Sequence, residues 1–248
     1  MPRPDPETAQ RRANAFLSTG AEYHRLRPGY PDDVVDWMLP GSPRQVLDLG
    51  AGTGRLTDSL VARGLDVVAV DPSESMVAVL RGRHPGVVCR VGTAEATGLP
   101  DASVDAVVVA QAWHWMDAAA ASAEAARVLR PGGTLAMVWN QRWNPDGWQA
   151  AFHAEQYPAD GMGMHSGEGD DRPLVPFGPG EVRRSAWSRE VSAEDYLAGY
   201  TTHSPFLVAD RAEQDRRLAV WRSLIAAHAG PTVTESYTVD AWRYRLPN

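Results

Sequence analysis

The chain has 248 residues, 44% hydrophobic and 22% charged, ordinary for a globular protein and long enough for one α/β domain with a full core. A formal net charge of -7 and a pI of about 5.5 argue against non-specific binding to nucleic acid or anionic membrane, while leaving room for a local basic pocket. The single Cys89 excludes an internal disulfide, the amino-terminal stretch lacks the apolar core of a signal peptide, and no run of about 18 apolar residues occurs; a cytoplasmic protein is expected.

Residues 1–15 are polar and rich in Pro and Arg, and read as frayed or a loose first helix. A broken segment, 21–39, follows, with a helix over 32–39 and Asp32 as its N-cap. Gln45–Leu49 is a short apolar run ending at glycines and reads as a buried strand. Gly54–Arg63 reads as a helix stopped by Gly64. The alternation continues with a strand at 67–70, a helix at 73–81, strands at 87–91 and 104–110, and a helix at 118–129. The sequence Arg130-Pro131-Gly132-Gly133 then reads as a stop before a strand at 134–139.

Beyond Trp139 the rhythm fades. Residues 147–157 read as helix, 158–180 as loop, 182–191 as strand, 193–200 and 210–229 as helices, and 232–246 as a late strand. Strands alternating with helices imply an α/β, Rossmann-like sheet of seven strands, mostly parallel, with helices on both faces and a helical insertion before the last strand. Residues 1–40 are expected to lie over the ligand site as a helical segment. Residues 41–248 would form the main domain, with a cap at about 192–230.

The chemistry begins at Asp48-Leu49-Gly50-Ala51-Gly52-Thr53-Gly54, between a strand and a helix. Glycines there let the backbone approach a ligand and aim helix-terminal N–H groups at it. The dinucleotide fingerprint needs a sixth-position glycine, and Arg55 stands there. An acid two residues before the first glycine suits a ligand with an ammonium group, such as the methionine end of a methyl donor. Asp71 closes the second strand about 20 residues on, where an acid accepts the hydroxyls of a ribose. Its bland alternative is a helix cap.

The stretches VLDLGAGTGRLT (46–57), VVAVDPSESM (67–76), VGTAEATGLPDASVDAVVVAQAWHWMD (91–117) and VLRPGGTLAMVWN (128–140) resemble the successive motifs of class I S-adenosylmethionine-dependent methyltransferases. The branch that includes ubiquinone/menaquinone and trans-aconitate methyltransferases is the most similar, and RLRPGYP (25–31) resembles it too. The resemblance implies that Gly50, Ala51 and Gly52 line the methionine and ribose of the donor, with Asp48 near its ammonium group. It implies that Asp71 holds the ribose, that Pro72, Ser73 and Met76 flank the adenine, and that Ala94 and Glu95 edge it. An Asp often precedes the Ala in that family; Thr93 stands here.

Gln111 to Asp117 follow the fourth strand at the carboxyl edge of the sheet, where ligands bind in open α/β folds. Gln111 would lie against the sulfonium. His114 is the candidate catalytic base, the alternative being a structural histidine between Trp113 and Trp115. Trp113, Trp115, Trp139, Trp143 and Trp148 fall where an acceptor pocket should be, and serve either as its walls or as core. Arg27, Arg142 and Arg172 are candidates to hold a carboxylate, against ordinary surface solvation. Tyr23 and Tyr30 read as a lid over the donor or as simple packing.

Methyl transfer from S-adenosylmethionine to O, N or C of a small molecule, with carboxylate and aromatic metabolites as candidate acceptors, is the reading that follows. No metal and no nucleic-acid or membrane partner is expected. An NAD(P)-dependent oxidoreductase is weakened by Arg55, and a non-catalytic binder on the same fold stays open. A base methylator would carry Asn/Asp-Pro-Pro-aromatic where Gln111-Ala112-Trp113-His114 stands.

Overall fold

The computed structural model describes residues 24–142, 147–157 and 174–248. The strands are β1 (Gln45–Leu49), β2 (Asp66–Asp71), β3 (Val88–Val91), β4 (Val104–Ala110), β5 (Leu129–Arg142), β6 (Glu181–Ser192) and β7 (Thr232–Arg245). They form one mixed seven-stranded sheet in the order β3-β2-β1-β4-β5-β7-β6. The β1–β2, β1–β4, β2–β3 and β4–β5 pairings are parallel. The order reverses at β1, so its carboxyl end opens beside β4 and makes the crevice that such sheets use for ligands.

Helices α1 (Asp32–Met38), α2 (Arg55–Ala62), α3 (Glu74–Arg83), α4 (Ala118–Val128) and α5 (Gly147–Gln156) alternate with the first strands. Helices α6 (Ala193–Thr201), α7 (Ser204–Leu207) and α8 (Arg211–His228) lie between β6 and β7, as the expected helical insertion before the last strand. Among the described residues no helix is long and apolar enough to cross a membrane.

Local chemistry explains most boundaries. Ser73, Asp117, Ser192 and Asp210 cap α3, α4, α6 and α8, each side chain accepting an N–H from the first turn. Asp32, expected as a cap, is instead the first residue of α1. Pro31 occupies the cap, its carbonyl accepts from Val34 and Val35, and the Asp32 carboxylate pairs with Arg63 at 2.9 Å. A ring-fixed φ and no N–H to satisfy suit a proline there.

The expected stop at Arg130–Gly133 is also corrected: it lies inside β5. Val104 pairs with Leu129 and Ala106 with Thr134, so the extra residues form a bulge. A Cβ on Gly133 would come within 3.0 Å of Arg130 O, Leu129 Cδ2 and Asp105 O, which is why that bulge needs a glycine.

Two compact units divide the described chain. Of the described residues, one holds 28–140, 174–185 and 239–248; the other takes in 24–27, 141–142, 147–157 and 186–238. The core of the first gathers Leu47, Leu49, Val70, Val107, Val109, Val128, Leu135 and Trp242. Parallel strands covered on both faces must be apolar on both, and VDAVVVA of β4 is. The core of the second is aromatic: Phe152, Tyr196, Tyr200, Phe206 and Trp221, with the Trp221 indole donating to Phe152 O at 2.9 Å.

Candidate active site

The turn after β1 is held open by three glycines in the left-handed region, Gly50 (φ 71°), Gly52 (φ 55°) and Gly54 (φ 90°). Gly54 is the N-cap of α2. A Cβ on Gly50 would meet Ala112 Cβ at 2.7 Å and Met116 Cε at 3.0 Å, so the segment after β4 closes against the turn. A Cβ on Gly52 would meet only Met76 Sδ, at 3.7 Å. The backbone at Gly52 therefore has room above it, bordered by a thioether.

Asp71 ties this turn to the next crossover. Its Oδ2 accepts the Gly52 N–H and its Oδ1 the Ser73 N–H, both at 2.8 Å. Burial pushes the carboxyl up, while those two backbone donors pull it down. Asp71 is thus no helix cap, for Ser73 caps α3 with its hydroxyl.

Asp48 is tied to α2. It is fully buried; its Oδ2 accepts from the Thr57 hydroxyl of α2 at 2.6 Å, and its Oδ1 has no partner. Burial pushes its carboxyl up to about 7, against the pull of that hydroxyl.

On the far side of the crevice, Ala94 is buried in the core and Glu95 is exposed. Glu95 Oε1 accepts the Asp117 N–H at 2.9 Å. Burial works to raise its carboxyl, but this N–H, its own N–H and the Thr93 hydroxyl together hold it below the usual range. Gln111 follows β4 in the left-handed region (φ 57°), a strained place for a non-glycine residue and a common one at functional sites. Its side chain donates to Asn140 O at 2.6 Å.

Asn140, near the end of β5, was not singled out from the sequence. Its amide donates to Gly29 O at 2.6 Å, and Arg55 Nε reaches Pro28 O at 3.4 Å. The strap Pro28-Gly29-Tyr30 is therefore pinned from β5 and from the start of α2. That assigns Arg55, the residue that breaks the dinucleotide fingerprint, a job. Only the coincidence of VWN with the end of a strand hinted at Asn140.

The proposed walls separate. Trp113 is 8% exposed and belongs to the core, whereas Trp115 is 53% exposed. His114 is exposed and lies against Trp115, ring centroids 4.7 Å apart. Trp139 is half-buried and packs edge-on against Trp242. Tyr30 is half-buried. Tyr23, Trp143 and Arg172 lie outside the described residues.

The second unit holds a polar cluster of its own. Arg142, expected at the surface, is only 8% exposed and bonds Glu235 Oε1 at 2.5 Å, with its guanidinium 4.1 Å from the Tyr200 ring centroid. Glu235 Oε2 takes Arg189 at 2.6 Å and the Tyr237 hydroxyl at 2.9 Å. Trp148 packs on Phe152 and Tyr196. Arg27 donates to Thr202 O at 3.5 Å. Among the described residues no group of His, Cys, Asp and Glu is arranged to hold a metal.

Known proteins resemble this chain over part or most of its length. Residues 47–137 match the family model of a methyltransferase domain. An uncharacterized methyltransferase of Mycobacterium bovis is 59% identical over 134 residues, covering 54% of this chain and 55% of the relative. A malonyl-[acyl-carrier protein] O-methyltransferase of Methylococcus capsulatus is 43% identical over 100 residues, or 38% of this chain and 36% of that protein. The chain thus matches about half the length of its first curated relatives. Among solved structures, a putative type II methyltransferase from Anaeromyxobacter dehalogenans superposes with a TM-score of 0.71 at 29% identity, covering 90% of this chain and 99% of that one.

Proposed function

We propose, from the premise that this chain belongs to the class I methyltransferases, that it transfers a methyl group from S-adenosylmethionine to a small-molecule acceptor. The observation that carries the donor assignment is the joint between Asp71 and the glycine turn. An ionised carboxylate offers about four lone-pair sites; two hold backbone N–H groups, and the remainder suit the two hydroxyls of a ribose. The room above Gly52, bordered by Met76, fits a flat or sulfur-bearing ligand.

On this reading Gly50, Ala51 and Gly52 line the methionine and ribose, and Pro72, Ser73 and Met76 flank the adenine. Glu95 and Ala94 edge it, and Gln111 borders the sulfonium. Asp48 acts from beneath the turn: its unpartnered Oδ1 is the carboxyl oxygen left to answer the ammonium group. The Pro28–Tyr30 strap borders the same turn.

The donor supplies an activated sulfonium, so the transfer is an in-line displacement that creates little charge. The protein's part is to hold the acceptor at attack distance and keep water out, which supplies on the order of 7–11 kcal/mol in well-oriented reactions. His114, exposed and tilted against Trp115, fits a pocket wall better than an obligatory base. The acceptor named for the malonyl-carrier relative does not transfer, because the match covers only 38% of this chain and 36% of that protein. A cytoplasmic enzyme acting without nucleic acid is consistent with the acidic composition.

Titration calorimetry tests the reading directly. S-adenosylmethionine and S-adenosylhomocysteine should bind at micromolar levels and NAD far more weakly. Tight NAD binding with none of the methyl donor would overturn it. Incubating a metabolite extract with isotope-labelled donor, followed by mass spectrometry, then identifies the acceptor as the species that gains the labelled methyl.

A further inference from the structure

We infer that Asn140 and Arg55 are positioning residues that hold the strap Pro28–Tyr30 at the carboxyl end of β4, beside the methionine half of the donor site and away from its adenosine half. The inference rests on the methyl-transfer reading for the word donor. The placement of the strap is independent of that reading, and every residue involved lies within 28–140.

The strap has few ways to hold itself. Pro28 and Pro31 bring no N–H, which suits the segment poorly to a strand ladder. Its carbonyls are met by side chains instead. Asn140 Nδ2 donates to Gly29 O at 2.6 Å, and Arg55 Nε donates to Pro28 O at 3.4 Å. The second bond is the weaker, yet the guanidinium stays close: a Cβ on Gly29 would meet Arg55 Nη2 at 3.4 Å, so the arginine lies against the backbone of the strap.

Sheet order decides which part of the site the strap borders. Arg55 opens α2, directly after the turn that follows β1, and Asn140 sits near the end of β5. Between β1 and β5 runs β4. Neighbouring strands lie about 4.8 Å apart, so β1 and β5 are separated by about 10 Å. Side chains reaching in from both sides meet adjacent carbonyls where the strap crosses that gap, at the carboxyl end of β4.

Gln111 stands at that end. Its backbone is in the left-handed region (φ 57°), and its side chain donates to Asn140 O at 2.6 Å. Asn140, itself buried, thus bonds both ways: its carbonyl takes Gln111 and its amide holds the strap. Asp71 closes β2, with Ser73 and Met76 after it, on the other side of β1. The strap and the ribose carboxylate therefore flank the glycine turn from opposite sides. The first borders the amino-acid end of the donor, the second its nucleoside.

That division is tested with two probes and the full chain. S-adenosylhomocysteine is titrated by calorimetry beside methylthioadenosine, which keeps the thioadenosine and lacks the amino acid; where methylthioadenosine binds weakly, it is measured by displacement. The variants are Asn140→Ala, Asn140→Leu (which keeps the volume without the N–H), Arg55→Met, and the double Asn140→Ala/Arg55→Met. Each Asn140 variant should weaken S-adenosylhomocysteine about tenfold and methylthioadenosine by less than about twofold. Arg55→Met should do the same more weakly, by about threefold for S-adenosylhomocysteine. Because both residues fix one strap, the double variant should lose about tenfold rather than the roughly thirtyfold of independent effects.

Equal weakening of both probes in the Asn140 variants overturns the inference, because a general disturbance of the fold would do that. An unchanged affinity for S-adenosylhomocysteine in Asn140→Ala and Arg55→Met alike overturns it too, as does a fully additive loss in the double variant. Should the Asn140 variants fail to fold, Arg55→Met decides by the same split between the probes. Failure of the wild-type protein to bind either S-adenosylmethionine or S-adenosylhomocysteine defeats the methyl-transfer reading instead.

Discussion

The two units bury polar groups by opposite means. In residues 28–140 the polar atoms around the glycine turn are mostly met by backbone: Asp71 takes two N–H groups, Glu95 takes one, and Asn140 reaches a carbonyl. The contacts run between neighbouring loops at one end of a parallel sheet. In the ionic cluster of the other unit side chains meet side chains. Arg142 from β5, Arg189 from β6, Tyr196 and Tyr200 from α6, and Glu235 and Tyr237 from β7 meet in an aromatic core. An arrangement built on backbone groups survives changes of side chain; a cluster built from side chains alters with a single substitution.

The strongest way to break that contrast is Asp71→Ala. Loss of the ribose contacts should cost about 2–4 kcal/mol of donor binding, roughly 30- to 1,000-fold. A helix cap alone would put about 1 kcal/mol of stability at stake. Because Asp71 also anchors Gly52 and Ser73, we expect a stability loss of about 2–4 kcal/mol instead. Urea titration and calorimetry measure the two separately. If donor affinity stays within threefold of wild type, Asp71 is only a strut.

Next come the glycines. Gly50→Ala forces a left-handed alanine into Ala112 and Met116 and should cost about 2–5 kcal/mol of stability. Gly52→Ala has space for its methyl and should cost only about 1–2 kcal/mol, with the larger effect on donor binding. Equal stability losses from the two substitutions would mean the room above Gly52 is not a ligand cradle.

A smaller effect belongs to Asp48. Its folded pKa, pushed up to about 7, lies above the ordinary carboxylate value. Between about pH 4 and 7 the unfolded chain therefore holds fewer protons than the folded one, and stability falls as pH rises through that window, levelling above it. A drop of a few degrees in Tm is expected from this group, and Asp48→Asn should flatten the profile. A wild-type Tm that rises steadily from pH 5 to 7.5, with the same slope in the variant, would show that Asp48 is ionised in the fold.

The smallest effect is predicted at His114. As a wall, His114→Gln should retain at least a tenth of wild-type kcat, with the main loss in KM; an obligatory base would cost about 10²- to 10⁴-fold in kcat. A thousandfold loss in a folded variant that still binds the donor would move the exposed His114–Trp115 pair from wall to catalyst.

What the sequence by itself determined is the part written by local rules. The alternation of apolar runs and helices specified the parallel strands, and the glycines of 50–54 specified a turn that only left-handed residues can make. Asp71 was legible because a crossover brings the end of β2 beside that turn whatever the side chains are.

Only the tertiary structure decided the rest. That Trp113 is core while Trp115 is exposed depends on which way a short turn of 3₁₀ helix rolls, and neighbouring residues of the same type carry no signal for it. Arg142 looked like a surface cation because arginine seldom survives burial alone. Its partner Glu235 is 93 residues away, with the helical insertion between them, and no periodicity links the two. Local pattern encodes the direction of each strand and helix. Which distant side chains share a buried charge depends on how the whole chain packs.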